Sequence, residues 1–385
     1  MDFLIYIIPF LVSVFLLFFF RKKVVWWEYI VMIVAPIVVS LIVRLIMVSY
    51  NNTDTEYLGD YITKVRHYDE WDEWVHRTCT RTVTNGKTTT TQTYDCSYRQ
   101  HHPERWSYFD QDGEEHWLFF EEEFDEIVRK FGTKMVFVDM HRRYYRIDGD
   151  AQDYYWNGSE ETAWPVTHSH KYTNKLQNSR SIFNFEDISE KDADSLGLYD
   201  YPSIEKYDQT PILSKTIKLP QNQEDALRFT NGFYGKKHQF RVFVLLFENE
   251  SIEISEKQRS YWKGGNKNEL VVCLGTNDNK VKWCNAFSWC DVPTVDVKTE
   301  SYFSERDTLD LKAYSDFLRT SLENGDWERK NFEDFSYVKT ELSMTQQIWI
   351  MIISILLNVG FAIFVIVNDE KNSDDNFKRK RNYYM

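Results

Sequence analysis

The common catalytic signatures are missing from this sequence. It has no HExxH motif, no CxxC pair, no GxSxG motif, and no Lys-Ser/Thr pair after its paired glycines. These absences argue against the usual zinc peptidases, serine hydrolases and phosphate-loop enzymes. Internal repeats are absent too, and the one low-complexity segment is the threonine run at 88–91.

The sequence also has fewer basic than acidic residues. The chain has 46 Lys and Arg against 59 Asp and Glu, and a net charge of −13. Residues 50–345 carry 37 of those basic and 53 of those acidic residues. Such an acidic surface repels phosphate backbones and anionic headgroups, so we expect no nucleic-acid partner.

Three long apolar runs are present, at 3–20, 24–48 and 348–367. The second is interrupted only by Glu28 and Arg44 near its ends, where long side chains reach the membrane interface. About 18 to 25 apolar residues are enough to cross a bilayer as a helix. The runs predict three transmembrane helices in contact with membrane lipid.

Basic residues then set the orientation. Arg21, Lys22 and Lys23 follow the first run, and Lys378–Arg381 lie in the C-terminal tail. Short basic loops stay in the cytoplasm. We therefore expect a cytoplasmic loop between the two helices of 1–49, a span at 346–367, a cytoplasmic tail at 368–385, and residues 50–345 in the periplasmic or extracellular space. A cleaved signal peptide is the alternative for the first run, although it lacks a positive start and a small-x-small site.

All five cysteines fall in that outer segment, where an oxidising compartment permits disulfides. A tight turn at Asp278-Asn279 would place Cys273 opposite Cys284, which is the favoured pair. A Cys284–Cys290 bridge is the alternative, and the odd count leaves one thiol over.

Cys79 and Cys96 flank a second hairpin, VTNGKTTTTQTY, in which Asn85-Gly86 is a strong two-residue turn signal. That turn pairs position 79 with 92. A Cys79–Cys96 disulfide therefore requires a bulge or a longer loop.

About 295 outer residues suggest two domains. A β-rich half at 50–198 contains the hairpin at 76–98, a strand at 134–147 and a helix in FFEEEFDEIVRKFG that ends at Gly132. The stretch 199–225 has three prolines and reads as an extended linker. The remainder, 226–344, predicts a sheet covered by helices: strands at 239–247, 269–275 and 280–289, and helices at 255–262 and 308–325.

This second half resembles the TPM domain, a module of membrane-anchored extracytoplasmic and thylakoid-lumen proteins. The likeness covers about residues 205–342 and rests on VFVLLF, WKGGNKNELVVCL, DNK, VKWCNAFSW and LRTSLENGDWERKNFEDF. The comparable positions are Trp262, Gly264, Asn268, Asp278, Lys280, Gly325, Asp326 and Trp327. The chain as a whole also resembles uncharacterised membrane proteins of Bacteroidetes and their phages, a likeness that implies no function.

The TPM resemblance implies an α/β sandwich and two kinds of function. Members are phosphatases or calcium-binding domains, or accessory and assembly factors of membrane complexes. The implied metal ligands are Asp278 and Asp326. Lys267 replaces the acidic residue of the family motif, so Glu269 would have to supply an oxygen instead. Calcium is the one cofactor expected, if any is bound.

The paired glycines, Gly264-Gly265, are more simply explained as a turn with positive φ than as a phosphate cradle. His168 and His170 would share one face of a strand, a spacing that suits a metal, with His67, His76, His101, His102, His116 and His141 as further partners. We favour exposed histidines in a loop. In DEWDEW, at 69–74, we expect Trp71 and Trp74 to be buried.

These observations predict a membrane-anchored α+β protein with three spans, a β-rich half and a TPM-like α/β sandwich. Because no catalytic constellation is complete, and because aromatic residues make up 17% of the chain, we expect an interaction or assembly module that binds another membrane or extracytoplasmic protein. The alternative is a membrane-anchored, metal-dependent hydrolase that uses Asp278 and Asp326.

Overall fold

The computed structural model describes residues 4–20, 26–86, 88–132, 134–140, 149–177, 185–207, 211–278, 280–306 and 308–382. The fold is mixed α+β with a β-rich N-terminal half. It divides into two compact units. We call Met1–Asp54, Lys171–Phe185 and Asn331–Met385 the helical unit, and Thr55–His170 with Glu186–Lys330 the α+β unit.

Helices and strands alternate irregularly along the chain, with short 3₁₀ turns at Glu160–Thr162 and Phe332–Phe335. The helices are α1 (Leu4–Phe20), α2 (Trp26–Asn51), α3 (Glu121–Phe131), α4 (Glu190–Leu196), α5 (Gln221–His238), α6 (Glu253–Tyr261), α7 (Thr294–Ser304), α8 (Leu311–Glu323) and α9 (Met344–Asn382). The strands are β1 (Thr53–Tyr61), β2 (Lys64–Tyr68), β3 (Trp71–Val75), β4 (Thr78–Asn85), β5 (Thr88–Asp95), β6 (Tyr98–His102), β7 (Arg105–Phe109), β8 (Glu115–Leu118), β9 (Val136–Val138), β10 (Ala151–Tyr155), β11 (Pro165–Thr173), β12 (Ile212–Ser214), β13 (Arg241–Glu248), β14 (Glu269–Asn277) and β15 (Lys280–Ser288).

Within the described residues, two helices of the helical unit are long and apolar enough to cross a membrane, not the three expected. They are the Ile30–Asn51 part of α2 and the Met344–Phe364 part of α9. The third apolar helix, α1, has 17 residues, about 25 Å at helical rise, which is short for a span. The basic loop at 21–23 and the side chains of 378–381 lie outside the described part of the chain.

These three helices pack along one another. Ile5 of α1 lies in a cluster with Ile350 of α9, and Leu17 lies in another with Met32 and Ala362. Hydroxyl groups join the helices: the Oγ atoms of Ser40 and Ser354 are 2.8 Å apart. The side chains that face away from these helix contacts are apolar. Several of these residues are each more than half exposed, among them Phe15, Phe18, Phe19, Leu45, Ile46, Leu356 and Phe364.

A four-stranded sheet forms the C-terminal half of the α+β unit, in the order β12-β13-β14-β15. The first three strands are parallel and β15 runs antiparallel to β14. Both faces of β13 are covered, because Val242, Val244 and Leu246 pack towards α5, α7 and α8, whereas Phe243 and Leu245 pack towards α4 and α6. The predicted helix-covered sheet is therefore confirmed.

The predicted linker at 199–225 is partly regular structure. Ile212 pairs in parallel with Val244, which makes β12 an edge strand of the sheet. Pro220 is the N-cap of α5, because a proline at the first turn loses no helical hydrogen bond. Tyr199 is buried and its hydroxyl donates to the Leu246 carbonyl oxygen.

The β-rich half is built on a five-stranded antiparallel sheet in the order β8-β7-β2-β10-β9. Helix α3 covers it with Phe124, Ile127 and Phe131, which join Val65 in one core. As predicted, α3 ends at Gly132, which has a left-handed backbone. Of the predicted strand at 134–147, Val136–Val138 is a strand, and 141–147 lies outside the described residues.

Most of both predicted halves of the outer segment belongs to the α+β unit, in which β1, paired with β11, lies directly on α5. A Cβ added to Gly59 would lie 1.9 Å from the Asn231 carbonyl oxygen. One added to Gly235 would lie 2.6 Å from the Gly59 nitrogen. Only glycine permits this approach between a strand and a helix backbone.

The Cys79–Cys96 disulfide is present, with the two Cα atoms 5.8 Å apart. The predicted register was wrong by two residues, since Cys79 faces Tyr94 and Asn85 faces Thr88. The backbone nitrogen of Cys96 donates to the Arg77 carbonyl oxygen, so the ladder continues past the strands. The bridge needs neither a bulge nor a longer loop.

Cys273, Cys284 and Cys290 are free thiols, so both alternatives for the second bridge were wrong. A register shift at Gly275 and Thr276 places Cys284 opposite Leu274 and Asn285 opposite Cys273. The side chains of a strand alternate between faces, so this one-residue shift sends the two thiols to opposite sides of the sheet.

Candidate functional site

The residues predicted as calcium ligands lie at different ends of the sheet. Glu269 begins β14 and Asp278 follows its last residue, which separates them by about 30 Å at the rise of a strand. Asp326 precedes Trp327, whose ring packs on Phe240, immediately before β13 begins beside Glu269. Asp278 is therefore remote from the other two carboxylates.

Each of these carboxylates also has a local structural role. Glu269 is buried and accepts hydrogen bonds from the Asn266 backbone and side chain and from the Tyr201 hydroxyl; burial raises its pKa. Asp326 pairs with Lys298 at 2.5 Å. Asp278 is an exposed turn residue with φ of 51°. The hydrolase alternative thus has no assembled ligand set.

Lys267 pairs with the buried Glu56 at 3.2 Å. Arg329 and His170 contact the same carboxylate at 2.5 and 2.9 Å. This group links β1 to the C-terminal half of the unit, so its role is structural.

The paired glycines form a covered turn. Gly264 and Gly265 have φ of 85° and 77°. A Cβ on Gly264 would lie 2.9 Å from the ring of Trp289, whose Nε1 donates to the Gly265 carbonyl oxygen. The indole covers the turn, which agrees with the turn interpretation rather than a phosphate cradle.

A different set of polar residues converges in the α+β unit, and we call it the acid–histidine cluster. Its members come from separate elements: Asp60 from β1, His116 from β8, His168 from β11, Lys236 from α5, and Asp110 from the turn after β7. Strands β1 and β11 pair with each other, and the docking of β1 on α5 brings Lys236 close.

The contacts in the cluster are short. His116 Nε2 lies 3.1 Å from Asp110 Oδ2, and His168 Nε2 lies 3.6 Å from Asp60 Oδ2. The two imidazole centroids are 5.2 Å apart. Lys236 Nζ lies 3.4 Å from the Oδ2 atoms of both Asp60 and Asp110. The carboxylates are 0% and 1% exposed, whereas the imidazoles and the lysine are partly exposed.

Both buried carboxyl groups are held in the charged form. Burial favours a raised pKa, but for Asp60 it is outweighed by His168, by hydrogen bonds from Tyr61 and Gln111 and by the charge of Lys236. The pKa of Asp110 is likewise lowered, because His116, the Glu114 backbone and Lys236 outweigh its burial.

The pKa of Lys236 itself is raised. Its own burial works against this, but the carboxylates of Asp112, Asp60 and Asp110 prevail. The cluster therefore holds an ammonium ion between two carboxylates at neutral pH.

For the sequence His168-Ser169-His170, the spacing on one face of a strand was predicted correctly, but the favoured loop position was wrong. His168 and His170 lie on a strand, not in a loop, and both reach acidic residues of β1. The other predicted partners are divided: His116 joins the cluster, His101 pairs with Asp72, His102 with Glu73 and His67 with Glu104, while His141 lies outside the described residues.

Sequence reasoning missed Asp60, Asp110 and Lys236. One signal was available, because TDTEYLGDY places Asp54, Glu56 and Asp60 at even spacing, on one face of a strand. A strand with acidic residues on one face pairs naturally with HSH. Nothing in the sequence near Asp110 or Lys236 marks them.

A second feature, which we call the β-arm, is formed by residues 71–102. Strand β3 pairs with β6 and β4 with β5, in one continuous hairpin about 45 Å long. Of its residues with described side chains (all but 85, 87 and 88), His102 alone is buried. Trp71 stacks on that histidine at 4.8 Å. Trp74 is 57% exposed, so its predicted burial was wrong.

No family model, curated protein or solved structure matches this chain. The resemblance to TPM domains therefore rests on the short motifs alone.

Proposed function

We propose that this protein is a three-span membrane protein whose α+β unit lies outside the cytoplasm and binds another protein through the β-arm, as an interaction or assembly module. The observation that carries this proposal is the β-arm itself, a hairpin about 45 Å long with a disulfide across it and one buried residue among those whose side chains are described.

A two-stranded hairpin without a packed face is marginally stable in water. The Cys79–Cys96 bridge compensates by restricting the unfolded chain. A long, stabilised hairpin in which His102 is the one buried residue among the described side chains has a surface available for a partner. Trp74, Tyr94 and Tyr98 are exposed on it, and such side chains offer rigid contact area at protein interfaces.

The disulfide also supports the location. Disulfides persist in oxidising compartments and are rare in the cytosol. Cys79 and Cys96 belong to the α+β unit, which favours a periplasmic or extracellular position for it. The basic residues of 21–23 and 378–381 favour the same topology.

The packing of α1 supports a third span. Its two ends contact both other helices, at Ile5 and at Leu17. Asn358 Nδ2 donates to Ser13 Oγ, and Ser40 Oγ donates to the Ile5 carbonyl oxygen. Polar contacts between helices with apolar side chains outside are typical of membrane bundles. Local thinning of the bilayer accommodates a helix of 17 residues.

Site-specific photocrosslinking of the full-length protein in its native membrane tests the proposal. We expect a photoreactive phenylalanine at Trp74 or Tyr94 to give one discrete adduct of constant mass. The matched control is Val297, an exposed residue of α7 in the same unit. Replacing Cys79 and Cys96 with serine should weaken the adduct because it destabilises the hairpin. Equal yields at Val297 and at the β-arm, or no adduct at all, would contradict the proposal.

A further inference from the structure

We propose that the acid–histidine cluster is a closed, structural binding site for a divalent transition-metal ion of the zinc class. Asp60, Asp110, His116 and His168 are its four ligands, and Lys236 is the cation that holds the two carboxylates when no metal is bound. This site is independent of the β-arm and of partner binding.

The donor set selects the metal class. Two imidazole nitrogens with two carboxylate oxygens suit zinc and its neighbours, whereas calcium takes oxygen ligands. Four protein ligands complete the tetrahedral shell of a structural zinc site and leave no open position for catalysis.

The distances suit such a shell. Bonds of about 2.0–2.2 Å to a tetrahedral ion place neighbouring ligand atoms about 3.4 Å apart. The observed separations are 3.1 Å for His116 and Asp110, and 3.6 Å for His168 and Asp60. Donor atoms of Asp110, His116 and His168 all lie within 4.8 Å of one another. Asp60 lies outside this group of three, although its Oδ2 atom is 3.6 Å from His168 Nε2, so its carboxylate has to move towards the others to complete the shell.

An independent observation concerns hydrogen bonding. Asp60 is fully buried, yet its Oδ2 atom accepts no hydrogen bond from the described residues and has the ion pair with Lys236 at 3.4 Å instead; the buried Nε2 atom of His168 has no hydrogen-bond partner among these residues either. These two atoms face each other at 3.6 Å. Buried polar atoms without a hydrogen bond are rare and call for an explanation. A metal ion between them satisfies both.

Lys236 balances part of the charge of the two carboxylates when no metal ion is bound. Its ammonium group lies 3.4 Å from each carboxylate, where it provides part of the positive charge that a metal ion would bring. It also contacts Asp112, which is 59% exposed. The lysine side chain can therefore turn out to Asp112 when an ion enters. Two carboxylates and two neutral imidazoles then balance the double charge of the ion.

Metal titration of the full-length protein in detergent tests the site. We expect zinc to raise the melting temperature and to bind with a stoichiometry of one, because a ligand of the folded state stabilises it. Calcium should do neither. Cobalt in place of zinc should give the visible absorption of a tetrahedral centre.

Substitutions distinguish the proposed metal ligands from residues that only lie near the site. We expect His116→Ala and His168→Ala each to weaken zinc binding at least tenfold. Lys236→Met should tighten it several-fold, because the competing cation is gone. The matched control is His170→Ala: this residue lies two positions along β11 and pairs with Glu56 instead, so zinc affinity should not change.

A second measurement uses the wild-type protein, so it does not depend on whether the variants fold. Zinc should slow the carbethoxylation of His116 and His168, read by mass spectrometry, and leave His170 and His101 unaffected. An absence of zinc binding, or zinc binding that protects other histidines and leaves these two reactive, would overturn the proposal.

Discussion

At the scale of single residues, buried carboxylates are the dominant feature of the α+β unit. Glu56, Asp60, Asp110 and Asp153 are all almost fully buried, and each has at least one cationic partner. An uncompensated buried charge costs several kcal/mol, so these pairs are most sensitive to the loss of one partner.

Asp153 offers the clearest test of this sensitivity. It accepts two hydrogen bonds from Arg66, at 2.5 and 2.8 Å, and Lys64 lies 3.2 Å away. We expect Asp153→Asn to lower the free energy of unfolding at pH 7 by about 3–5 kcal/mol, as for other broken buried pairs. Urea unfolding followed by tryptophan fluorescence measures it. The control is Asp316→Asn, an exposed partner of Arg319, with an effect below about 1 kcal/mol.

The contribution of Asp153 to the free energy of unfolding changes with pH in a definite direction. Burial favours a raised pKa of Asp153, but the hydrogen bonds and charges of Arg66 and Lys64 outweigh it and lower the pKa. A depressed native pKa stabilises the fold above the unfolded value of about 3.9. This contribution is lost as the pH falls through the native pKa. The gap between wild type and Asp153→Asn should therefore narrow below about pH 4, and a constant gap from pH 7 to pH 3 would refute this account.

At the scale of elements, β1 joins the parts of the α+β unit. It carries Glu56 and Asp60, which meet cations from the C-terminal half, and Gly59, which lies against α5. One strand thus combines charge pairing with backbone contact, and its position on α5 also sets the geometry of the acid–histidine cluster.

Gly59→Ala tests the close contact. The added Cβ would lie 1.9 Å from the Asn231 carbonyl oxygen and 3.1 Å from the Gly232 Cα. Because both are backbone atoms, β1 and α5 have to separate. We expect a loss of at least about 1–3 kcal/mol, the range for overpacked cores, seen as a lower melting temperature. Gly360→Ala is the control, since nothing lies within 4 Å of its added Cβ; an equal loss in both variants would show that the contact is unimportant.

The sheet of the C-terminal half shows how one irregularity changes the chemistry of a strand pair. The register shift beside Gly275 leaves Cys273 among the residues packed towards α6, and Cys284 beside those packed towards α7 and α8. Burial raises the pKa of both thiols. They are therefore inert side chains of the core, neither a disulfide nor a nucleophile.

At the scale of the whole molecule, the arrangement of spans decides which compartment each segment occupies. Residues 157–159 and 249–251 are Asn-x-Ser sequons in the α+β unit. Translation into endoplasmic-reticulum microsomes should therefore glycosylate Asn157 and Asn249, because this unit would enter the lumen. The readout is a mobility shift that glycosidase reverses and that Asn157→Gln and Asn249→Gln abolish.

Two added sequons complete the topology experiment. One in a tag before residue 1 should be glycosylated if α1 spans the membrane, and one after residue 385 should not. Glycosylation of the C-terminal tag would refute the orientation. An unmodified N-terminal tag, together with glycosylated Asn157 and Asn249, would reduce the spans to two.

Local patterns in the sequence determined much of this protein. The continuous apolar stretches of β13 and β14, the helical period of α3, the apolar runs of α2 and α9, and the two cysteines of the β4–β5 hairpin each predicted the right element. The acidic composition and the missing catalytic motifs follow directly from the residues present. Such features depend on neighbours along the chain, which the sequence displays.

The tertiary structure alone decided the rest. The acid–histidine cluster unites residues as far apart as Asp60 and Lys236, the one-residue register shift at Gly275 separates Cys273 from Cys284, and the opposite ends of β14 separate Glu269 from Asp278. The physical reason is the same in each case. Strand register and the packing of distant elements fix these distances, and neither is encoded in any local stretch of residues.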